Sequence, residues 1–221
     1  MKTANRLRVL AIALSLLLCL SAGIFLPAAE DSPAPADEAV SYYDGTADTS
    51  WFTTDFAGYD EATKTYTLST AAQLAGLATV CTASNNFSGY TVKLAKDMVF
   101  NRGEETTYTW SPIANFSGTF DGDGHLVSGL YFKGTAGDIG FFSQNCSGIK
   151  VRNLAIVNTS FTTTGNRCGA VIGNSTANAV YENLYVDAAI KAGNQAGGLI
   201  GLGGGTVRGC VFGGTVSTTA S

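Results

Sequence analysis

Charge is scarce in this sequence and leans negative: charged residues make up 14% of the 221, with 13 Lys+Arg against 17 Asp+Glu. Proline is nearly absent, at 4 residues, and histidine occurs once, as His125. So few bases leave nothing to displace counterions from a polyanion, which argues against nucleic acid and anionic membrane surfaces as partners. No G-x-S-x-G elbow and no G-K-[ST] phosphate loop occurs anywhere, so serine-hydrolase and P-loop chemistry have no foothold. No sorting motif is present either.

What is abundant is glycine, 27 residues, in a chain that is 45% hydrophobic and rich in Thr, Ser and Asn. That is the composition of many short strands joined by tight turns, with enough apolar material for one substantial core and a single domain. The first residues read as an export leader (1–29). Lys2, Arg6 and Arg8 form a basic head, an apolar run follows from Val9 to Leu26, and small residues stand near Ala28. The run is also long enough to act as an uncleaved anchor; in either case the domain is expected to be extracellular or at the cell surface. Without the leader, 10 basic residues face 17 acidic ones, a net charge of −7. Residues 30–41, rich in Pro, Ala and acids, read as a disordered linker.

Residues 42–89 read as an N-terminal cap region with a helix near 70–81. Thr70 and Gln73 form the S/T-x-x-E/Q capping box, and Leu74, Leu77, Ala78 and Cys81 share one face. Such a helix is expected to cover the open end of a stack of coils. Residues 90–221 read as the coils. Leu130-Tyr131-Phe132, Leu154-Ala155-Ile156, Leu184-Tyr185-Val186 and Cys210-Val211-Phe212 recur at intervals of 24, 30 and 26 residues. A second register runs through Gly140-Phe141-Phe142-Ser143, Ala170-Val171-Ile172-Gly173 and Gly198-Leu199-Ile200-Gly201. Segments this short, punctuated by Gly and Asn, predict an all-β parallel β-helix, a β-solenoid, with Phe116 to Phe132 as its founding coil. The polar tail from Ser217 and the lack of a terminal cap suggest a chain truncated from a longer array.

The segment "WSPI…FSGTFDGDGHLVSGLYF", the later Gly-Phe-Phe-Ser, Ala-Val-Ile-Gly and Gly-Leu-Ile-Gly segments, and the upstream "STAAQLAGLA" resemble the GLUG-motif β-helix modules of bacterial surface and secreted proteins. The resemblance spans about Tyr66 to Val216. It implies a right-handed, pectin-lyase-like β-helix in a surface or adhesin setting, and it brings no catalytic residue.

Candidate sites are few. Asp121, Asp123 and His125 fail as a calcium loop, because His125, Leu126 and Phe132 stand where ligands and a glycine are needed, and they read as turn residues. The acids Asp97, Asp121, Asp123, Asp138, Glu182 and Asp187 are scattered, with no Arg or Lys recurring beside Asp138 or Asp187, so no catalytic, metal or cofactor site is expected. Cys81, Cys146, Cys168 and Cys210 read as buried free thiols, with two disulfides as the alternative. Trp51, Trp110 and His125 are the ligand-facing candidates, the tryptophans as a sugar-stacking platform and otherwise as core. The expected function is a non-catalytic surface or secreted module for adhesion, binding a glycan or a host or matrix protein. A membrane enters only through an uncleaved leader or a missing anchor. The alternatives are a carbohydrate-active β-helix enzyme, a polysaccharide lyase or glycoside hydrolase, and a passive stalk for a missing downstream domain.

Overall fold

A computed structural model describes residues 40–219. The chain divides into two units, Met1–Asp37 and Glu38–Ser221, and the described residues all belong to the second. The expected leader and residues 30–39 of the expected linker lie outside them. Ser41, the last residue assigned to that linker, instead opens β1 (Ser41–Tyr42).

The domain is a parallel β-solenoid of about 5 turns. One face stacks β3 (Thr65–Leu68), β4 (Thr91–Leu94), β6 (Thr119–Asp121), the first half of β9 (Lys150–Thr163), the first half of β12 (Val180–Ala192) and β15 (Thr206–Arg208), all parallel. A second face stacks β1, β5 (Met98–Val99), β7 (Leu126–Ser128) with β8 (Tyr131–Gly134), the second halves of β9 and β12, and β16 (Val211–Thr218). The remaining side holds two small parallel pairs. They are β10 (Arg167–Gly169) with β13 (Gln195–Gly197), and β11 (Ile172–Asn174) with β14 (Ile200–Leu202).

Alternation along each strand decides what lies inside. Tyr181, Leu184, Val186, Ala188, Ile190 and Ala192 of β12 are buried between exposed or half-exposed neighbours, as a period of two requires. Aromatic residues fill the middle of the stack: Phe142 packs 5.3 Å from Phe116 and 5.0 Å from Phe141, and Trp110 stacks on Phe141 at 5.2 Å and 8°. The second sequence register holds throughout, since Phe142 bridges Ile172 and Ile172 pairs with Ile200; Ile113 extends that column one coil earlier.

The first register is corrected at its start. Leu126 and Val127, not Leu130 and Tyr131, lie against Ala155 and Ile156, while Tyr131 lies against Ser160. The cause is the turn at Asp121 to Gly124, which gives that coil two more residues than the next between Asp121↔Arg152 and Leu126↔Ala155. That coil is also not the founder, because β3 and β4 form earlier rungs. Ser217 and Thr218, expected in a polar tail, pair with Lys191 and Ala192.

The helix α1 (Ala71–Val80) connects β3 to β4. Thr70 is extended and its hydroxyl accepts from the Gln73 N–H at 3.1 Å, while the Gln73 carbonyl oxygen accepts from Thr70 and Ser69 N–H at 3.2 and 2.8 Å. The box is therefore closed in both directions. Segment 48–51 lies against this helix: the Asp48 N–H donates to Ala72 O, and Trp51 Nε1 donates to Gln73 O at 3.1 Å. Gly76 permits the approach, since a Cβ there would sit 1.9 Å from Asp48 O. At the outer edge of β3, β2 (Tyr59–Asp60) pairs antiparallel, and Trp51, Phe52 and Phe87 pack around Tyr66, which is 4% exposed. The first rung is thus covered.

Candidate functional site

Asn101 organises the most substantial concave surface. Its side chain, 2% exposed, donates to Tyr108 O and Gly129 O at 2.8 Å each and accepts from the Tyr108 N–H at 2.9 Å. A buried amide satisfied this way is a rigid clamp. It gathers the polar segment 102–107 into a wall beside the second face. Gly129 must be glycine here, because its φ is 75° and a Cβ would fall 2.0 Å from Asn101 O.

Between that wall and the rungs runs a groove of about 450 Å³. Glu104, Glu105 and Thr106 line one side, and Tyr131, Asn158, Thr159, Ser160, Asp187 and Thr215 line the other, drawn from β8, β9, β12 and β16. Asn158 and Asp187 are exposed, and Asn158 Nδ2 donates to Ser128 Oγ at 3.0 Å across the rungs. The groove offers hydroxyls, an amide, one aromatic ring and carboxylates, with no Lys or Arg in its lining.

The candidate residues fall elsewhere. Trp51 and Trp110 are 1% and 3% exposed, with their indole N–H groups donating to Gln73 O and to Gly140 O at 3.1 Å. They are core residues, and the expected sugar platform is not formed. Their ring area is consumed by aromatic packing with Tyr66 and Phe141. His125 is half-buried at the corner of the Asp121 turn, where its Nδ1 lies 3.2 Å from Asp97 Oδ1; the Leu126 N–H donates to the same oxygen at 3.1 Å.

Around that corner each acid meets a base. Lys93 Nζ lies 2.9 Å from Asp123 Oδ2, and Arg152 Nε lies 2.8 Å from Asp121 Oδ2. Asp121 also accepts from the Asp123 N–H and Asn153 Nδ2 at 3.0 Å each. Burial pushes its carboxyl up, but these hydrogen bonds and the guanidinium outweigh burial and hold it below its ordinary value. Asp138 likewise is not alone: Arg167 of the following coil donates to it at 2.9 Å, a partnership the sequence intervals concealed. Among the described residues no group of three or more His, Cys, Asp or Glu is placed to hold a metal ion. Cys81, Cys146, Cys168 and Cys210 are free.

Fold and groove define the class, a parallel β-solenoid module with one solvent-lined side groove. No family model and no solved structure matches the chain. Over 166 residues, 72% of its length, it is 30% identical to halomucin of Haloquadratum walsbyi (strain DSM 16790 / HBSQ001), and it spans 2% of that protein. That likeness and the solenoid are compatible with a surface or secreted module. No helix among the described residues is long and apolar enough to cross a membrane.

Proposed function

We propose that this chain is an exported, non-catalytic module of the GLUG-like kind that adheres by binding a neutral glycan along the groove. The single observation that carries the reading is the groove lining itself, in which Tyr131 can accept the apolar face of a sugar ring while Asn158, Ser160, Asp187 and Glu105 meet its hydroxyls. The carboxylates and the absence of a basic residue from the lining disfavour polyuronides. Likeness to a protein named halomucin supports a surface setting. A glycoside hydrolase is the second reading, favoured by Glu104, Glu105 and Asp187 on one groove, since that chemistry needs paired carboxylates.

A neutral-oligosaccharide array probed with the full chain and with a Tyr131→Ala/Asp187→Ala variant tests this. Binding should appear and fall at least about tenfold in the variant, as expected when one stacked ring and one charged hydrogen-bond partner are lost. An empty array, or a variant that binds as well as the parent, refutes glycan binding in the groove. New reducing ends during incubation would favour the hydrolase.

A further inference from the structure

At one register position the face-one strands place Lys93, Asp121, Arg152, Glu182 and Arg208 in a single column, each the direct neighbour of the next. The sign alternates at every step. Arg152 pairs with Asp121, and Arg208 with Glu182. Like charges on adjacent rungs repel and opposite ones attract, so a column of this kind fixes both register and neighbour.

The inward columns run beside it and change abruptly at the last described rung. Val92, Phe120, Val151 and Tyr181 are 0% exposed, yet Val207, next in that column, is 49% exposed. Phe161 and Ile190 are 0% and 2% exposed, and Val216, above them, is 43% exposed. Among the described residues β15 and β16 pair only with β12, leaving their outer edge without a strand. The first rung, by contrast, is covered by β2 and its aromatic cluster.

We propose that this edge docks a coil of a partner β-solenoid, added as a parallel strand with a carboxylate in register with Arg208 and apolar side chains over Val207 and Val216. Charge decides the occupant: Arg208 ends the described column, its side chain 66% exposed even while paired with Glu182, and the alternation calls for an acid next. A second copy of this chain fits poorly. Its first rung offers Thr67 at that position, and β2 already takes the outer edge of β3. Main-chain hydrogen bonds would supply affinity and the column would supply selection.

The probe is an immobilised peptide of residues 178–192, which carries Glu182 in the required register, beside its Glu182→Lys version. The full chain should bind the parent peptide roughly fivefold tighter than the Lys version, and Arg208→Glu, at an exposed position, should reverse the order. Equal binding of the two peptides, indifference to Arg208→Glu, or no binding to either overturns the proposal. Sedimentation that shows the chain pairing with itself through this edge, abolished by Val207→Lys, also overturns it, in favour of a second copy.

Discussion

Replacing Phe142 with alanine should cost about 3–5 kcal/mol, at the upper part of the range for an aromatic core truncation. The ring is 0% exposed, with centroids of Phe141, Phe116 and Phe120 at 5.0, 5.3 and 5.7 Å. The backbone of Phe142 bridges to Ile113 on one side and Ile172 on the other. Strands locked at ladder spacing, about 4.8 Å apart, cannot close in on the void, so little of the loss is recovered by collapse. Phe142→Leu retains most of the volume and should cost about 1.5 kcal/mol or less. Equilibrium urea unfolding followed by tryptophan fluorescence measures both, because Trp110 stacks 5.2 Å from Phe141 while Trp51 reports on the cluster around Tyr66. An alanine variant that loses under about 1 kcal/mol, or a leucine variant as damaged as the alanine, would refute a rigid aromatic centre.

Three further outcomes are expected. Asp121, held below its ordinary value of 3.8, contributes stability that is fully present above the ordinary carboxylate range and is lost as pH falls through its folded pKa; in acid titrations of thermal unfolding, Asp121→Asn should flatten that limb, and an unchanged limb would contradict it. Gly129→Ala forces a left-handed angle on a side chain directed at Asn101 O, so it should lower stability by at least about 1–2 kcal/mol and weaken glycan binding together with it, read by calorimetry. In a Cys19→Ser background, Cys210 should react first with a thiol reagent at pH 8, because burial pushes Cys81 and Cys168 up to about 12 and Cys146 up to about 11; three fast thiols would contradict the packing.

The solenoid was legible because its signals are local. Gly-punctuated segments of three to six residues say strand and turn, and the Thr70–Gln73 box says where the helix begins, with no knowledge of the fold needed. The Phe142, Ile172 and Ile200 column was readable since its coils are nearly equal in length. What failed depended on unequal coils. Two extra residues at Asp121 to Gly124 shifted Leu130 away from Leu154, and the same irregularity hid the alternating charge column, whose members lie 28, 31, 30 and 26 residues apart. Arg167 beside Asp138 was missed for that reason too. The groove was illegible because its key residue, Asn101, looks in sequence like one more loop asparagine, and only tertiary contact with Gly129 makes it a clamp. Trp51 and Trp110 misled because an indole can serve core or surface equally well, and their N–H partners lie 22 and 30 residues away.

Hydrogen–deuterium exchange of the full chain with saturating manno-, galacto- or N-acetylglucosamine oligosaccharide tests the groove most directly. Slowed exchange confined to residues 103–106, 129–131, 158–160 and 187–189 is the predicted result. Protection centred on the His125 corner or on β15 and β16, or no protection with any of the three sugars, would contradict it.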